Sequence, residues 1–382
     1  MFFQEGPGVR NTQYTDSGVK LLNVANLVDG KIDLSTSDRY ISEEEAYGKY
    51  AHFLVEDGDF IIASSGIKVE YFEKKMGFVS ANQLPLCMNT STIRFRTLDE
   101  NVLNIRYFMY YLKSKSFKLQ LEKQITGSAQ LNFGPSHLKK MYVPVVGLES
   151  QKAICRKLDK INRVLELKRN QIEELDTLIK ARFVEMFGVP GLDAKYETIR
   201  LKECCIVNPK KNNDLRLQDG LEVSFVPMPA VSEHGDIDTS EIRLFEDVKT
   251  GFTYFAEGDV LFAKITPCME NGKGAVARNL KNGIGFGSTE FHVLRPDYEM
   301  ANSVWLYTLT TFKQFRVDAE SKMTGSAGQR RVSASFLKNY KVSLPPIELQ
   351  NQFADFVTQV DKLKVVVQYQ KEFKCNRHLN IE

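Results

Sequence analysis

Two rhythms of apolar and polar positions run along the 382-residue chain, and each occurs twice. The first is a short apolar run entered through an acidic turn: "VEDGDFIIA" at residues 55–63 and "FAEGDVLFA" at 255–263. A short continuous apolar run bounded by Gly and Asp predicts a buried strand. "ENGKGAVAR" at 270–278 follows the second run, and its Asn-Gly predicts a hairpin turn. The second rhythm is helical. Residues 104–122 and 303–317 space their apolar positions by three and four, which predicts one helix in each half.

A longer helix closes each half. From residue 149 onward, Ile154, Leu158, Ile161, Leu165, Ile172, Leu175 and Ile179 alternate steps of four and three, with Lys168 at the one missing position. Gly188 and Pro190 stop the pattern. Leu349, Phe353, Phe356, Val360, Leu363 and Val367 repeat it near the C-terminus. These are heptad seams, and they predict helices of about 38 and about 27 residues, roughly 57 and 40 Å long. An apolar seam of this kind is not stable when exposed. The economical arrangement pairs the two helices antiparallel, seam to seam; the alternative packs each on its own domain or on another protein.

Short matches tie the halves together. "KMGFVSANQL" from Lys75 corresponds to "GKGAVARNL" from Gly272, and "TSTIRFR" from Thr90 to "GSTEFHVLR" from Gly287. "KSFK" at 115–118 corresponds to "KQFR" at 313–316, and "LKKMYVPVVGLESQ" at 138–151 to "LKNYKVSLPPIELQ" at 337–350. "TGSA" appears at 126–129 and again at 324–327. All lie about 200 residues apart in one order, far beyond the period of a solenoid repeat. A whole mixed domain plus its trailing helix is written twice. The first copy lacks a counterpart of the lead-in "YETIRLKECCIVNP" at 196–209, which leaves its N-terminal edge differently completed.

Composition narrows the function classes. Hydrophobic content is 43%, charged content 26% and net charge +3, ordinary for a globular chain and compatible with a basic face balanced elsewhere. The six Cys form no Cys-x-x-Cys pair, and the first residues lack a secretory pattern. No apolar run approaches the roughly 20 residues of a membrane span. A cytoplasmic protein without membrane contact is expected.

Catalytic signatures are missing. There is no phosphate loop, no Gly-x-Ser-x-Gly and no His-Glu-x-x-His. "GIGFGS" at 283–288 lacks the strand-turn-helix setting of a nucleotide site. "VNPKK" at 207–211 reads as a turn. The five His are dispersed, and Asp259, Glu270 and Lys273 are only the nearest approach to a metal-nuclease grouping. We expect no catalytic residue, no metal site and no cofactor in this chain.

What remains is polar chemistry on the repeated loops. Thr126, Gly127, Ser128, Gln130 and Asn132 face Thr324, Gly325, Ser326, Gln329, Arg330 and Arg331 in the alignment of the copies. Hydroxyls bond phosphate oxygens or base edges, Gly permits close backbone approach, Gln bonds adenine in a bidentate manner, and Arg reaches guanine or phosphate. The frame recurs while the reading residues differ, as expected when one scaffold reads two short sequences. The structural alternative is a loop whose Ser and Thr cap the next element. Strand-turn segments add Ser64, Ser65, Lys68, Lys74 and Lys75 in the first copy, and Lys264, Thr266, Asn271, Lys273 and Thr289 in the second.

With these motifs in hand, the chain resembles the specificity (S) subunits of type I restriction–modification systems. The carriers are "EGPGVRNTQYTDSGVKLLNVANL", "FVPMPAVSEHGDID", "EGDVLFAKITPCMENGKGAVA", "NGIGFGSTEFHVLRP", the two "TGSA" loops and the "VPVVGLESQ" and "LPPIELQ" approaches to the long helices. The resemblance implies an α+β chain of two homologous mixed α/β target-recognition domains, separated by two long antiparallel coiled-coil helices in an internal pseudo-twofold repeat. The expected divisions are domain 1 at 1–148, central helix at 149–187, domain 2 at 188–346 and C-terminal helix at 347–382. It further implies that each domain reads half of a split site in double-stranded DNA, while the helix pair sets the gap and docks two methylation subunits. Those partners would use S-adenosylmethionine on a flipped adenine, and ATP- and Mg-dependent restriction subunits would cleave. The reading from another class is a non-catalytic coiled-coil scaffold whose globules bind protein.

Overall fold

The computed structural model describes residues 1–124, 131–211, 216–326 and 328–379, with the side chains of 67, 131–132 and 368–379 left aside. It divides into two compact units, Met1–Val164 and Leu165–Glu382. Among the described residues no helix is long and apolar enough to cross a membrane.

The first unit holds a four-stranded sheet in the order Phe2–Glu5, Thr92–Arg96, Phe60–Ala63, Met76–Phe78. The second unit builds the same sheet from Cys205–Val207, Phe291–Pro296, Val260–Ala263 and Gly274–Val276. A second sheet in each unit centres on a parallel pair, Val19–Leu22 with Leu86–Met88 and Glu222–Val226 with Ile284–Gly287. The duplication read from short matches is therefore a duplication of strand order and register.

The acidic turn explains why these strands start where they do. Gly58 and Gly258 take φ of 82° and 83°, which L side chains rarely adopt. Each turn presents a buried Asp whose Oδ2 accepts from a backbone amide three residues back, Glu56 N and Ala256 N, both at 2.8 Å. The same carboxylates grip an arginine on the neighbouring strand: Asp59 with Arg96, and Asp259 with Arg295 at 2.7 and 2.8 Å. Asp259 is thus spent inside the sheet, at the opposite end of Val260–Ala263 from Glu270, and the metal-nuclease grouping does not assemble.

Several local expectations change. The Asn-Gly at 271–272 is not a two-residue hairpin turn. Val260–Ala263 and Gly274–Val276 do pair antiparallel, but the chain between them coils, Asn271 N bonding Pro267 O, and only Gly272 takes positive φ. Each expected single helix is two: Ile105–Leu112 then Lys115–Gln124, and Ser303–Thr310 then Lys313–Ser321. Ser114 breaks the first by capping Phe117 N, and an extended Phe312 breaks the second. The glycines of "GIGFGS" serve packing, since a Cβ on Gly285 would sit 2.1 Å from the Phe255 ring and one on Gly287 2.2 Å from Val226 O. Asn208 of "VNPKK" takes φ 56° and ties its side chain to Val293 N and the His292 ring. At the N-terminal edge Phe2–Glu5 fills the strand position of Cys205–Val207; the lead-in strand Thr198–Arg200 has no described counterpart.

The two long helices run Leu148–Phe187 and Ile347–Leu379, 40 and 33 residues. Each is anchored by a fully buried glutamine in its first turn. Gln151 accepts from Asn104 N and donates to Val102 O and Val146 O, at 2.6–2.9 Å. Gln350 accepts from Asn302 N and donates to Met300 O and Pro345 O, at 2.8–2.9 Å.

Within the second unit the helices pair antiparallel. Phe183 and Phe187 meet Phe353 edge to face at 5.4 and 5.5 Å between ring centroids, Asp176 pairs with Lys364 at 2.6 Å, and Lys168 donates to Val367 O at 3.0 Å. On the central helix Ile179 is buried and Leu165, Ile172 and Leu175 are half-buried, as the seam requires, and Phe183 and Phe187 extend it. On the C-terminal helix the seam is shifted. Phe353, Val357 and Val360 are buried, Leu349, Phe356 and Val367 only half-buried, and Leu363 is 55% exposed. Lys364 takes the inward place expected for Leu363. Burial works against its charge, but Asp176 and Asp361 outweigh this and raise its pKa. In the first unit Ile154 is exposed and Leu158 and Ile161 half-buried, because the helix turns Gln151, Cys155 and Asp159 toward Ile105–Leu112 instead.

The shifted seam sets unequal costs. Phe353→Ala should destabilise the second unit by about 3–5 kcal/mol, whereas Leu363→Ala should stay within about 0.5 kcal/mol. Chemical denaturation of the two variants checks this, and equal losses would restore the seam through Leu363.

Candidate nucleic-acid interface

The loop after Lys313–Ser321 closes as a small hairpin. Thr324 and Arg331 exchange backbone hydrogen bonds at 3.1 and 2.8 Å, and Gln329 N bonds Ser326 O at 3.0 Å. Gly325 has φ 131°, and a Cβ there would lie 2.6 Å from Gln329 O, so the crossing of the two limbs needs glycine. The hairpin is laid on the segment that leaves Val260–Ala263: Thr266 N bonds Arg330 O and Val332 N bonds Lys264 O. Lys264, Thr266, Thr324, Gly325, Ser326, Gln329, Arg330 and Arg331 thereby converge on one end of the sheet. Thr289 joins them through Lys264 N, which bonds the adjacent Glu290 O at 2.9 Å.

The side chains divide into held and free. Thr289, Thr324, Ser326 and Gln329 are exposed and, among the described residues, make no side-chain hydrogen bond. Asn271 is exposed on the coil that follows. Thr266 Oγ1 donates to Glu270 Oε1 at 2.9 Å, leaving the buried Glu270 Oε2 without a partner. Lys273 is drawn to Met228 O at 3.4 Å and does not join the loop.

The two arginines part company. Arg331 grips Glu290 with Nε and Nη2, both at 2.9 Å, and Nη1 donates to Gln329 O at 3.1 Å. That fork is occupied, so Arg331 staples the hairpin, and the bond from Arg331 holds the Glu290 pKa below its ordinary value. Among the described residues Arg330 makes a 3.3 Å contact with Glu320 and a 3.9 Å contact with Glu270 through Nη2, and its other donors have no partner. The sequence expects both to reach DNA; the geometry commits Arg331 to Glu290 and leaves Arg330 with only long contacts among the described residues. Glu290 and Glu320 escaped sequence reading, and Glu270 was weighed there only as a metal ligand. Their one available signal was position: Glu290 directly follows Thr289, and Glu320 ends the helix that feeds the loop.

His292 secures the far limb. It is buried, its Nε2 lies 2.8 Å from Val332 O and its Nδ1 3.0 Å from the Asn208 amide. Burial, then the nearby Lys264 cation, push its pKa below the usual 6.5, against the bond to Val332 O and the Glu290 carboxylate.

In the first unit the same frame is present. Ser64 N bonds Ser91 O, Phe133 N bonds Ser64 O, and Asn132 sits opposite Ser65 across a short antiparallel pair. These repeat the bonds of Lys264 to Glu290 and of Val332 to Lys264. Thr126, Gly127, Ser128 and Gln130 lie outside the described residues, as does the side chain of Asn132. Ser64 itself is buried, so as a side chain it leaves the surface set. Ser65 and Lys75 are half-buried, while Lys68 and Lys74 are exposed with 3.8 Å contacts to Glu70 and Asp29. Exposed pairs of that length contribute little, so both ammonium groups are available to a phosphate. Among the described residues no cluster of His, Cys, Asp or Glu is placed to hold a metal ion.

Comparison with known proteins adds a family. A family model described as Type I restriction modification DNA specificity domain matches residues 17–177 and 194–372. Over 169 residues the chain is 41% identical to the type I restriction enzyme EcoAI specificity subunit of Escherichia coli, covering 44% of this chain and 28% of that protein. Over 152 residues it is 43% identical to the EcoEI specificity subunit of the same organism, covering 40% of this chain and 25% of that protein. The matches thus span well under two thirds of those relatives. The type I restriction–modification system S subunit from M. genitalium superposes with TM-score 0.47 and 14% identity, over 97% of this chain and 89% of that one.

The His292 geometry fixes the sign of a pH effect. A depressed folded pKa means the unfolded chain takes up a proton that the native ring refuses. The stabilisation is complete above pH 6.5 and is lost as pH falls below that toward the folded value. Thermal melts at pH 7.5 and 5.5 should therefore show a larger acid-side loss for the parent than for His292→Gln. An equal or smaller loss in the parent would contradict the neutral-ring assignment.

Proposed function

Because this chain belongs to the type I restriction–modification DNA specificity family, we propose that it is the DNA sequence-recognition subunit of such a complex. The observation that carries this reading is the duplicated loop frame. In both units the segment that follows the Thr-Gly-Ser-Ala motif returns to the same strand through matching backbone bonds, Phe133 N to Ser64 O and Val332 N to Lys264 O, yet the sequences after the motif differ. A frame that is constant and tips that vary suit two reading heads of different preference. In the second unit Gln329 and Arg330 read base edges, Thr324, Ser326, Thr289 and Lys264 meet backbone phosphate, and Arg331 with Glu290 holds the reader in place. In the first unit Lys68 and Lys74 meet phosphate.

Each unit reads one half of a bipartite target, and the long helices set the number of bases between the halves. The helices also dock two methylation subunits, which carry S-adenosylmethionine and transfer its methyl group to adenine. Restriction subunits that use ATP and Mg join the same assembly. This chain contributes recognition and assembly and no reacting group, and it works in the cytoplasm.

Three outcomes test the reading. Affinity of the assembled complex for target duplex should fall steeply with salt, with a log–log slope of about −0.9 per phosphate neutralised. Arg330→Ala should relax one half-site by about 1–3 kcal/mol per base contacted and leave the other untouched; uniform weakening across sequences would demote Arg330 to a phosphate contact. Deleting one heptad from the central helix removes about 10 Å, or about three base pairs of spacing. Methylation mapping should then show an altered gap between unchanged halves, and altered halves would refute the spacing role.

A further inference from the structure

The helix that feeds the reading hairpin of the second unit also grips the coil at residues 264–273, and it does so through one cation. From Lys313–Ser321, Arg316 donates through Nη1 to Met269 O and through Nη2 to Gly272 O, the latter at 3.1 Å. These carbonyls end the coil: Met269 O also accepts from Gly272 N, and Asn271 N bonds Pro267 O. Positive charge is favourable at the last carbonyls of a helical turn. Gly272 makes the fit possible, because it takes φ 95° and a Cβ there would lie 3.3–3.4 Å from the guanidinium. Among the described residues Arg316 pairs with no carboxylate. Burial, only partly offset by Tyr307, pushes its pKa below the ordinary value. A half-buried guanidinium without a counter-ion thus keeps its place through two backbone carbonyls.

What the coil carries gives these bonds their reach. Thr266 N donates to Arg330 O, which ties the coil to the hairpin. Thr266 Oγ1 holds Glu270 Oε1, which lies 3.9 Å from Arg330 Nη2. Asn271 stands exposed between the two gripped carbonyls. Arg316 therefore governs where Thr266, Asn271 and Arg330 stand.

The first unit repeats the device with a different partner. "KSFK" sets Lys118 where "KQFR" sets Arg316, and Lys118 Nζ pairs with Glu73. Glu73 belongs to the turn Val69–Lys74, between Phe60–Ala63 and Met76–Phe78, just as the 264–273 coil lies between Val260–Ala263 and Gly274–Val276. Ala63 N bonds Lys75 O at 2.9 Å and Ala263 N bonds Lys273 O at 3.1 Å, so the two connectors end at the same place.

Resting on the reading of this chain as a DNA-recognition subunit, we propose that Arg316 and Lys118 are the positioning residues of the two heads. Each locks the connector beside its reading loop to the helix that feeds that loop, so that both segments meet the duplex as one body.

Arg316→Met keeps the apolar stem and removes the donors. Amide exchange at Asn271 and Lys273 should quicken by about tenfold in this variant, with exchange in Val260–Ala263 unchanged as the sign of an intact fold. In the assembled complex, discrimination at one half-site should fall by about tenfold. The other half-site and the salt slope should not change, since Arg316 neutralises no phosphate. Arg316→Lys, which returns a cation to the carbonyls, should recover discrimination toward the parent, and Lys118→Met should show its loss at the opposite half-site. Unchanged exchange in the coil overturns the proposal and leaves the DNA reading standing. So does faster exchange with discrimination unchanged, an equal loss at both half-sites, or an Arg316→Lys variant no better than Arg316→Met. A parent complex that prefers no half-site overturns the DNA reading itself, and the positioning role with it.

Discussion

A glutamine amide shut away from water fixes where each long helix can begin and which way it faces. Gln151 and Gln350 each satisfy their donor and acceptor from backbone groups of their own globule. A buried amide that loses such partners forfeits about 1–3 kcal/mol for each group stranded. The helix therefore cannot rotate about its axis without a large penalty. Once Gln350 faces inward, Phe353, Val357, Val360 and Lys364 follow on the same side, Phe356 is left half-buried at its margin and Leu363 is turned away. Once Gln151 faces inward, Cys155 and Asp159 follow it toward Arg106 and Tyr110.

The sequence carried much of this. Duplication, the twin acidic turns and both long helices could be read because each rests on local pattern repeated in register. The C-terminal seam was misread by one position at every second step. Leu349, Phe356 and Leu363 make an equally regular apolar heptad, and periodicity alone does not choose between neighbouring stripes when both contain hydrophobic residues. The buried polar residue settles the choice, and an apolar pattern is blind to it. The coil at 264–273 was misread for a similar reason, since Asn-Gly signals a turn but not the length of chain that surrounds it. Glu290 and Glu320 went unseen, and the place of Glu270 beside the loop with them, because the three carboxylates are brought there by three different elements.

Those carboxylates change how the loop works. Two arginines in sequence look equivalent, yet Arg331 has its fork filled by Glu290 and the Gln329 carbonyl, and Arg330 does not. One arginine orders the hairpin so that the other arrives with little conformational freedom left to lose. A reader held in this way discriminates better than a floppy one, because less entropy is lost on docking. The first unit makes the matching flanking bonds, and its sequence has no arginine at the corresponding places.

The central claim is that these two related heads together select a divided stretch of duplex, while partner chains make and break the bonds. Single-molecule mapping of methylated adenines in cells with and without this chain tests it most directly. The account predicts one class of sites, two short fixed halves around a constant unspecified gap, methylated only when the chain is present. A methylation map unchanged by its removal would contradict the account.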